Sequence, residues 1–153
     1  MAFMIINISL FIFSFFNSKL VFKVSIFLTF LYCSLTFGRG YDWINYYDYY
    51  NSIAKGYDTM PFEPGYYYVM VLFSYFNAPF SVLTFFTTVF FFIVIYKFCI
   101  ETKNPSLNFF TIFAFMGFFM FSEQIRQGVA VCIIMLAIPY FERNEKWKEI
   151  GRA

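Results

Sequence analysis

A polar segment between Gly38 and Gly65 carries most of the side chains in this sequence that could do chemistry. It lies between long hydrophobic stretches and combines carboxylates, a guanidinium group and aromatic rings. A carboxylate can accept a proton or a hydroxyl hydrogen bond, and an aromatic face can stack on a sugar ring. The combination is typical of a surface that binds polyhydroxylated ligands, and its candidate residues are Arg39, Asp42, Trp43, Tyr46 and Glu63.

A second group of candidate residues comes later, where Arg126 and Gln127 open a hydrophobic stretch within SEQIRQGVA. A guanidinium group at a membrane boundary is costly and usually has a use. Two structural explanations stay open for Arg126. Its side chain can extend to the interface, or it can pair with Glu123 three residues earlier on a helix.

The composition indicates an integral membrane protein. Of 153 residues, 61% are hydrophobic, 27% are aromatic and 13% are charged, and a soluble domain of this size has no place for so much apolar surface. The net charge of +2 comes from scattered basic residues, so no nucleic-acid partner is expected. The chain has no His, and Cys33, Cys99 and Cys132 lie apart within hydrophobic stretches, so no metal or other cofactor is expected.

The hydrophobic stretches predict an all-α, polytopic transmembrane protein with about five crossings. A crossing needs roughly 20 residues, or about 17 with flanking residues that reach the interface. The expected crossings are 1–16, 20–37, 79–96, 105–122 and 127–141, with a break at Asn77–Pro79 and with 65–76 as a re-entrant or interfacial helix. This arrangement puts eight of the eleven basic residues in the cytoplasm, as the positive-inside rule favours. It makes 1–153 one transmembrane domain, 38–65 an extracytoplasmic loop and 142–153 a cytoplasmic tail.

Three motifs in this order resemble a known family. RGYDW-x2-Y-x2-Y begins at Arg39, FEPGY begins at Phe62, and the Arg-Gln of IRQGVA opens a later helix. Together, over about Gly38 to Ala137, they resemble the EpsG-like branch of Wzy-type polysaccharide polymerases. The resemblance implies transfer of a glycan from undecaprenyl pyrophosphate onto a lipid-linked repeat unit, at the outer face of the bacterial cytoplasmic membrane. Family members are longer, so we expect this chain to be an N-terminal fragment.

The chemistry of the candidate residues is compatible with the reaction that the resemblance implies. Asp42 and Glu63 are the candidate catalytic carboxylates, and Asp42 could act as general base or as a partner that holds Arg39. Each could instead cap a helix, in the case of Asp42 a helix predicted at Trp43–Ala54. Arg126 is the candidate to bind the pyrophosphate, because a planar fork holds two phosphate oxygens. Arg39 lies between two glycines that let a ligand approach closely, so it is a candidate to bind substrate, although it could simply be a flanking charge that ends the span. The remaining candidates for substrate binding are Gln127, Trp43 and Tyr46, although the tyrosines equally suit a membrane interface belt.

The sequence is also compatible with two other functions. The chain could be a noncatalytic or degenerate membrane subunit of a polysaccharide biosynthesis system, or, with less support, a transporter. The expected partners are an undecaprenyl-pyrophosphate-linked oligosaccharide, membrane lipid and other polysaccharide-assembly membrane proteins.

Overall fold

The computed structural model describes residues 2–35, 42–57, 64–117 and 125–143, and these ranges are built of helices. The helices, in chain order, are α1 (Ala2–Ser14), α2 (Lys19–Leu35), α3 (Trp43–Ala54), α4 (Pro64–Tyr75), α5 (Phe80–Ile100), α6 (Pro105–Ile112) and α7 (Ile125–Arg143). A π-helical turn, Phe113–Gly117, continues α6. The described residues contain no strand, so the all-α class is confirmed.

Local signals in the sequence set several helix ends. The break expected at Asn77–Pro79 is confirmed, since α4 ends at Tyr75, α5 begins at Phe80 and Asn77 has a φ of 52°. Pro64 is the first residue of α4, where a missing backbone N–H costs nothing. Asn104 caps α6, because its side-chain oxygen accepts a hydrogen bond from the Leu107 backbone N–H at 3.2 Å.

Hydroxyl groups inside the apolar helices bond to their own backbone. Thr29 donates to the Ser25 carbonyl at 2.8 Å, and Thr87 donates to the Leu83 carbonyl at 2.8 Å. A polar group that finds its partner one turn earlier can lie in an apolar environment without an unmet hydrogen bond. These bonds let short polar residues occupy α2 and α5.

Two core clusters meet along α5. One joins residues of α1, α2, α5 and α6, and it buries Phe22, Phe109 and Phe113 almost completely. The other joins residues of α3, α4, α5 and α7, including Tyr46, Tyr66 and Ile125. Aromatic rings make much of the contact between helices; Phe22, for example, stacks on Tyr96 with ring centroids 5.6 Å apart.

Among the described residues, α5 is the one helix that is long and apolar enough to cross a membrane by the criteria of length and composition. Its 21 residues have a mean hydropathy of 2.1 and extend over about 30 Å. Shorter apolar helices cover Phe3–Ser14, Pro105–Gly117 and Gln127–Ile138. Helix α4 has 12 residues, or about 18 Å, which is less than the hydrocarbon core of about 30 Å.

Gly117 ends the π-helical turn at a place with no room for a side chain. A Cβ atom there would lie 2.7 Å from the ring of Phe113. That ring is 1% exposed, so it cannot turn away without disturbing its neighbours. The π-helical turn therefore depends on glycine at its last position.

We expect Gly117→Ala to lower the stability of the protein. Overpacking typically costs about 1–3 kcal/mol, which exceeds the gain of up to about 1 kcal/mol from replacing glycine within a helix. The melting temperature of the purified protein in detergent measures the effect. Gly65→Ala is the matched control, because nothing lies within 4 Å of a Cβ at that helical position. The packing argument would be contradicted if the melting temperature of Gly117→Ala were equal to that of Gly65→Ala or above it.

Candidate functional site

The start of α3 brings together three of the predicted site residues. Asp42 and Trp43 are half-buried, and Tyr46 is buried one turn later. The predicted bounds of this helix, Trp43–Ala54, are confirmed. Gln127 lies in the first turn of α7 and is exposed.

Other predicted site residues cannot be placed in the same way. Arg39 and Glu63 lie outside the described residues. Arg126 is the second residue of α7, but its side chain also lies outside them. Their roles stay predictions.

Asp42 occupies the N-cap position of α3 without using its side chain as a cap. The Asp42 backbone carbonyl accepts a hydrogen bond from the Tyr46 N–H at 3.1 Å, but the carboxylate forms no capping hydrogen bond. Helix capping by the side chain therefore does not explain why Asp42 occupies this position. A half-buried carboxylate that the helix does not use can accept a hydrogen bond or a proton from a bound molecule.

Trp43 forms a stacked pair with Tyr47, the residue one turn later. Their ring centroids are 5.3 Å apart, and the planes differ by 7°. Tyr47 keeps 40% of its surface exposed, so the pair presents an aromatic surface in the first turns of α3, directly after Asp42 in the sequence. The negative face of an aromatic ring attracts the slightly positive C–H groups of a sugar, while a carboxylate accepts its hydroxyls.

Phe80, the first residue of α5, packs against both rings of this pair. Its ring meets those of Trp43 at 6.3 Å and Tyr47 at 5.8 Å, both edge-on, and that of Tyr50 at 5.5 Å. Trp43, Tyr47 and Tyr50 share one face of α3, because they are spaced by four and three residues. We call Trp43, Tyr47, Tyr50 and Phe80 the aromatic cluster.

A hydrogen bond ties the aromatic cluster to the turn before α5. The Tyr50 hydroxyl donates to the Ala78 backbone carbonyl at 2.5 Å, across 28 residues of sequence. Burial raises the pKa of the Tyr50 hydroxyl above its ordinary value of about 10. The donor therefore stays protonated at neutral pH, and α3 is held at a fixed place on α5.

Tyr46 has different surroundings from Tyr47. It is 3% exposed, and its ring meets that of Tyr66 on α4 edge-on at 5.9 Å. This contact joins α3 to α4. The aromatic surface available to a ligand is therefore that of Trp43 and Tyr47.

The start of α7 belongs to the same core cluster as this site. Ile125 is 7% exposed and lies in the cluster that contains Tyr46, Tyr66 and Phe80. Ile125 directly precedes Arg126 and Gln127. The two groups of candidate residues are thus carried by helices that share one core, although they are 83 residues apart in sequence at Asp42 and Ile125.

Tyr47 is the residue that the sequence-based site prediction left out. The spacing of four residues from Trp43 was the available signal, since such pairs lie side by side on a helix. The segment from Tyr41 to Tyr57, end residues included, has seven aromatic residues, so spacing alone did not single out this pair. Within the described ranges, no three His, Cys, Asp or Glu side chains form a group that could hold a metal ion.

Comparison with known proteins gives one family match. The model of the EpsG family matches residues 19–150, which is most of the chain. No curated protein and no solved structure matches the chain. The match includes all three motifs that carried the resemblance, so that resemblance is confirmed.

We expect Tyr50→Phe to loosen the attachment of α3. The change keeps the ring but removes a partly buried hydrogen bond, which costs about 0.5–1.5 kcal/mol. Tyr75→Phe is the control, because Tyr75 is 81% exposed. Melting temperatures of the three proteins in detergent measure the difference.

The pH dependence separates this hydrogen bond from a general packing effect. Since the pKa of Tyr50 is higher in the folded protein than in the unfolded chain, its contribution is complete below about pH 10 and is lost as the pH rises further. Tyr50→Phe should therefore lose less stability above pH 10 than the Tyr75→Phe control does. Parallel pH profiles for the two variants would contradict the assignment.

Proposed function

This chain belongs to the EpsG family, and from that premise we propose that it acts in polysaccharide polymerisation at a membrane. Family membership associates the chain with polysaccharide biosynthesis and with lipid-linked polysaccharide assembly. The finer proposal is a polymerase that makes exopolysaccharide, capsule or O-antigen. It transfers a glycan from undecaprenyl pyrophosphate onto a lipid-linked repeat unit at the outer face of the bacterial cytoplasmic membrane.

The observation that carries this proposal is that the Asp42 carboxylate makes no capping hydrogen bond to α3, and that Asp42 directly precedes the stacked Trp43–Tyr47 pair. In the proposed reaction an acceptor hydroxyl attacks the anomeric carbon of the donor glycan. The bond between that carbon and the pyrophosphate oxygen breaks, and Asp42 takes the hydroxyl proton as general base. Trp43 and Tyr47 stack on the acceptor sugar and hold its hydroxyl close to Asp42.

The other site residues complete the proposal. Arg126 binds the pyrophosphate leaving group, since its fork matches two phosphate oxygens and stays charged in an apolar environment. Gln127, exposed in the same turn of α7, orients a sugar hydroxyl. Arg39 assists with the phosphate charge, and Glu63 is a second catalytic carboxylate just before α4.

The proposed topology has five crossings, with α3 and α4 on the outer side. Support comes from the length of α5 and from the large apolar side chains that α1 and α2 expose, such as Ile5 at 62%, Ile8 at 60% and Leu28 at 54%. In a bilayer these side chains face lipid. The short α4 then lies as a re-entrant or interfacial helix, 38–65 is an extracytoplasmic loop and 142–153 is a cytoplasmic tail.

Thiol labelling tests the topology. Single cysteines replace Lys55, Lys103 or Lys148 in a variant in which Cys33, Cys99 and Cys132 are alanine. In intact cells an impermeant thiol reagent should label only the Lys55 position, because the other two lie in the cytoplasm under the positive-inside rule. Permeabilised cells provide the control, and there all three positions should react. Labelling at position 103 or 148 in intact cells would overturn the five-crossing arrangement.

Asp42→Asn tests the catalytic proposal. The substitution keeps the shape of the side chain but removes its basicity, and a positioned general base contributes about 10²–10⁴-fold to a rate. In cells whose own gene carries the change, long polysaccharide should give way to single lipid-linked repeats, with the membrane abundance of the protein unchanged. Glycan gels and immunoblots of the membrane fraction measure the two quantities.

Asp48→Asn is the matched control, because Asp48 is an exposed carboxylate of the same helix. It should leave chain length unchanged. Normal chain length in Asp42→Asn at equal abundance would show that Asp42 is not the base. Equal loss in both variants would assign the effect to the charge of α3 and would also overturn the role of Asp42.

A further inference from the structure

Helices α2 and α5 leave an open apolar groove between them, with a volume of about 360 Å³. Ile26 and Phe92 are buried at its base, and Phe27 and Ile93 are about half exposed along its rims. None of its lining residues belongs to α3, α4 or α7. The groove is therefore separate from the candidate site for polymerisation, and its volume lies within the range of about 300–1,000 Å³ that ligand pockets have.

The length of the groove corresponds to one leaflet of a bilayer. On α5 its lining runs from Val89 to Lys97, which is about 12 Å along a helix. Half of a hydrocarbon core is about 15 Å thick. A single acyl chain that enters from the end near Lys97 would fill the groove without reaching the opposite leaflet.

Positive charge lies at one end of the groove. Lys97 lines it, and Lys23 precedes Ile26 and Phe27 by three and four residues, which places it on the same face of α2 one turn further along. Both lysines are exposed. The carboxylate closest to Lys97 in sequence is that of Glu101, and no ion pair joins either lysine to another of the described residues.

A tyrosine ring lies at the same end of the groove as Lys97. Tyr96 lines the groove beside Lys97, and its ring stacks on Phe22 with an angle of 15° between the planes. Tyrosine rings are common where hydrocarbon meets lipid headgroups. The groove thus has an apolar length, an interfacial ring and two cations in the order in which a phospholipid has its acyl chain, glycerol and phosphate.

We propose that this groove binds an anionic phospholipid, with one acyl chain between α2 and α5 and the phosphate between Lys23 and Lys97. In the proposed topology this end faces the cytoplasm, so the ligand belongs to the inner leaflet. Basic pockets between membrane helices on that side are suited to anionic headgroups. An undecaprenyl carrier is a poorer fit, because its chain is far longer than a groove of one leaflet's depth.

Native mass spectrometry of the full chain in detergent tests the proposal, with dioleoyl phosphatidylglycerol and dioleoyl phosphatidylcholine as probes. The protein should bind one phosphatidylglycerol more tightly than phosphatidylcholine. Each lysine near a lipid surface contributes about 1 kcal/mol of attraction, so affinity for phosphatidylglycerol should fall roughly fivefold in Lys23→Gln or Lys97→Gln and roughly 25-fold in the double variant. Lys55→Gln, which changes an exposed lysine of the α3 end, should bind like the unmodified protein.

A second variant tests the apolar part of the groove. Ile93→Trp should fill it and weaken binding of phosphatidylglycerol at least tenfold, whereas Ile133→Trp, at a similarly exposed position of α7, should not. Equal affinity in the double lysine variant and the unmodified protein would overturn the headgroup site. Unchanged binding in Ile93→Trp would overturn the acyl-chain site.

Competition identifies the ligand class. Glycerophosphoglycerol, which has the headgroup without acyl chains, should not displace the bound lipid at comparable concentration, because the groove contributes through the acyl chain. Displacement by it would overturn the role of the groove. Displacement by undecaprenyl phosphate at a lower concentration than is needed with phosphatidylglycerol would show that the groove holds the carrier, and it would overturn the phospholipid assignment.

Discussion

The packing of apolar side chains, many of them aromatic rings, against α5 is the interaction that connects the helices the structure describes. Phe91 and Val94 lie in the cluster formed with α3, α4 and α7, while Phe92 and Ile95 lie in the cluster formed with α1, α2 and α6. Neighbouring residues of one helix thus take part in two cores. In the proposed membrane topology there would be little hydrophobic driving force between helices, so close contact of side chains would hold them together. Large flat rings provide many such contacts at each crossing.

Contacts with the start of α5 hold the candidate site in place. Phe80 is 3% exposed and contacts three rings of α3, and the Tyr50 hydroxyl reaches the turn two residues before Phe80. Helix α3 is short and would be marginal alone, so its position comes from these contacts. The contacts with α5, the helix long and apolar enough to cross a membrane, therefore position the start of α3, where Asp42 and the Trp43–Tyr47 pair lie.

The two ends of α5 have different chemistry. Phe80 contacts the stacked Trp43–Tyr47 pair, whereas Lys97 lines an apolar groove. The two residues are 17 positions apart, or about 26 Å along the helix. This distance is close to the thickness of a hydrocarbon core. In the proposed topology one helix would thus carry the proposed sugar-binding surface at one interface and the proposed phospholipid at the other. The lipid would hold α2 against α5 without entering the proposed reaction site.

The sequence by itself determined the all-α class, the family, the bounds of α3 and the break between α4 and α5, because long apolar runs, prolines and ordered motifs are local signals. It also identified Asp42 and Trp43 as site candidates, and the roles of Arg39, Glu63 and Arg126 still rest on it. Only the tertiary structure decided that Tyr46 is buried while Tyr47 stays exposed, and that Asp42 leaves α3 uncapped. Both tyrosines suit a helix equally well. Which one faces a ligand depends on where α4 and Phe80 pack against α3, and contacts between distant segments set that arrangement.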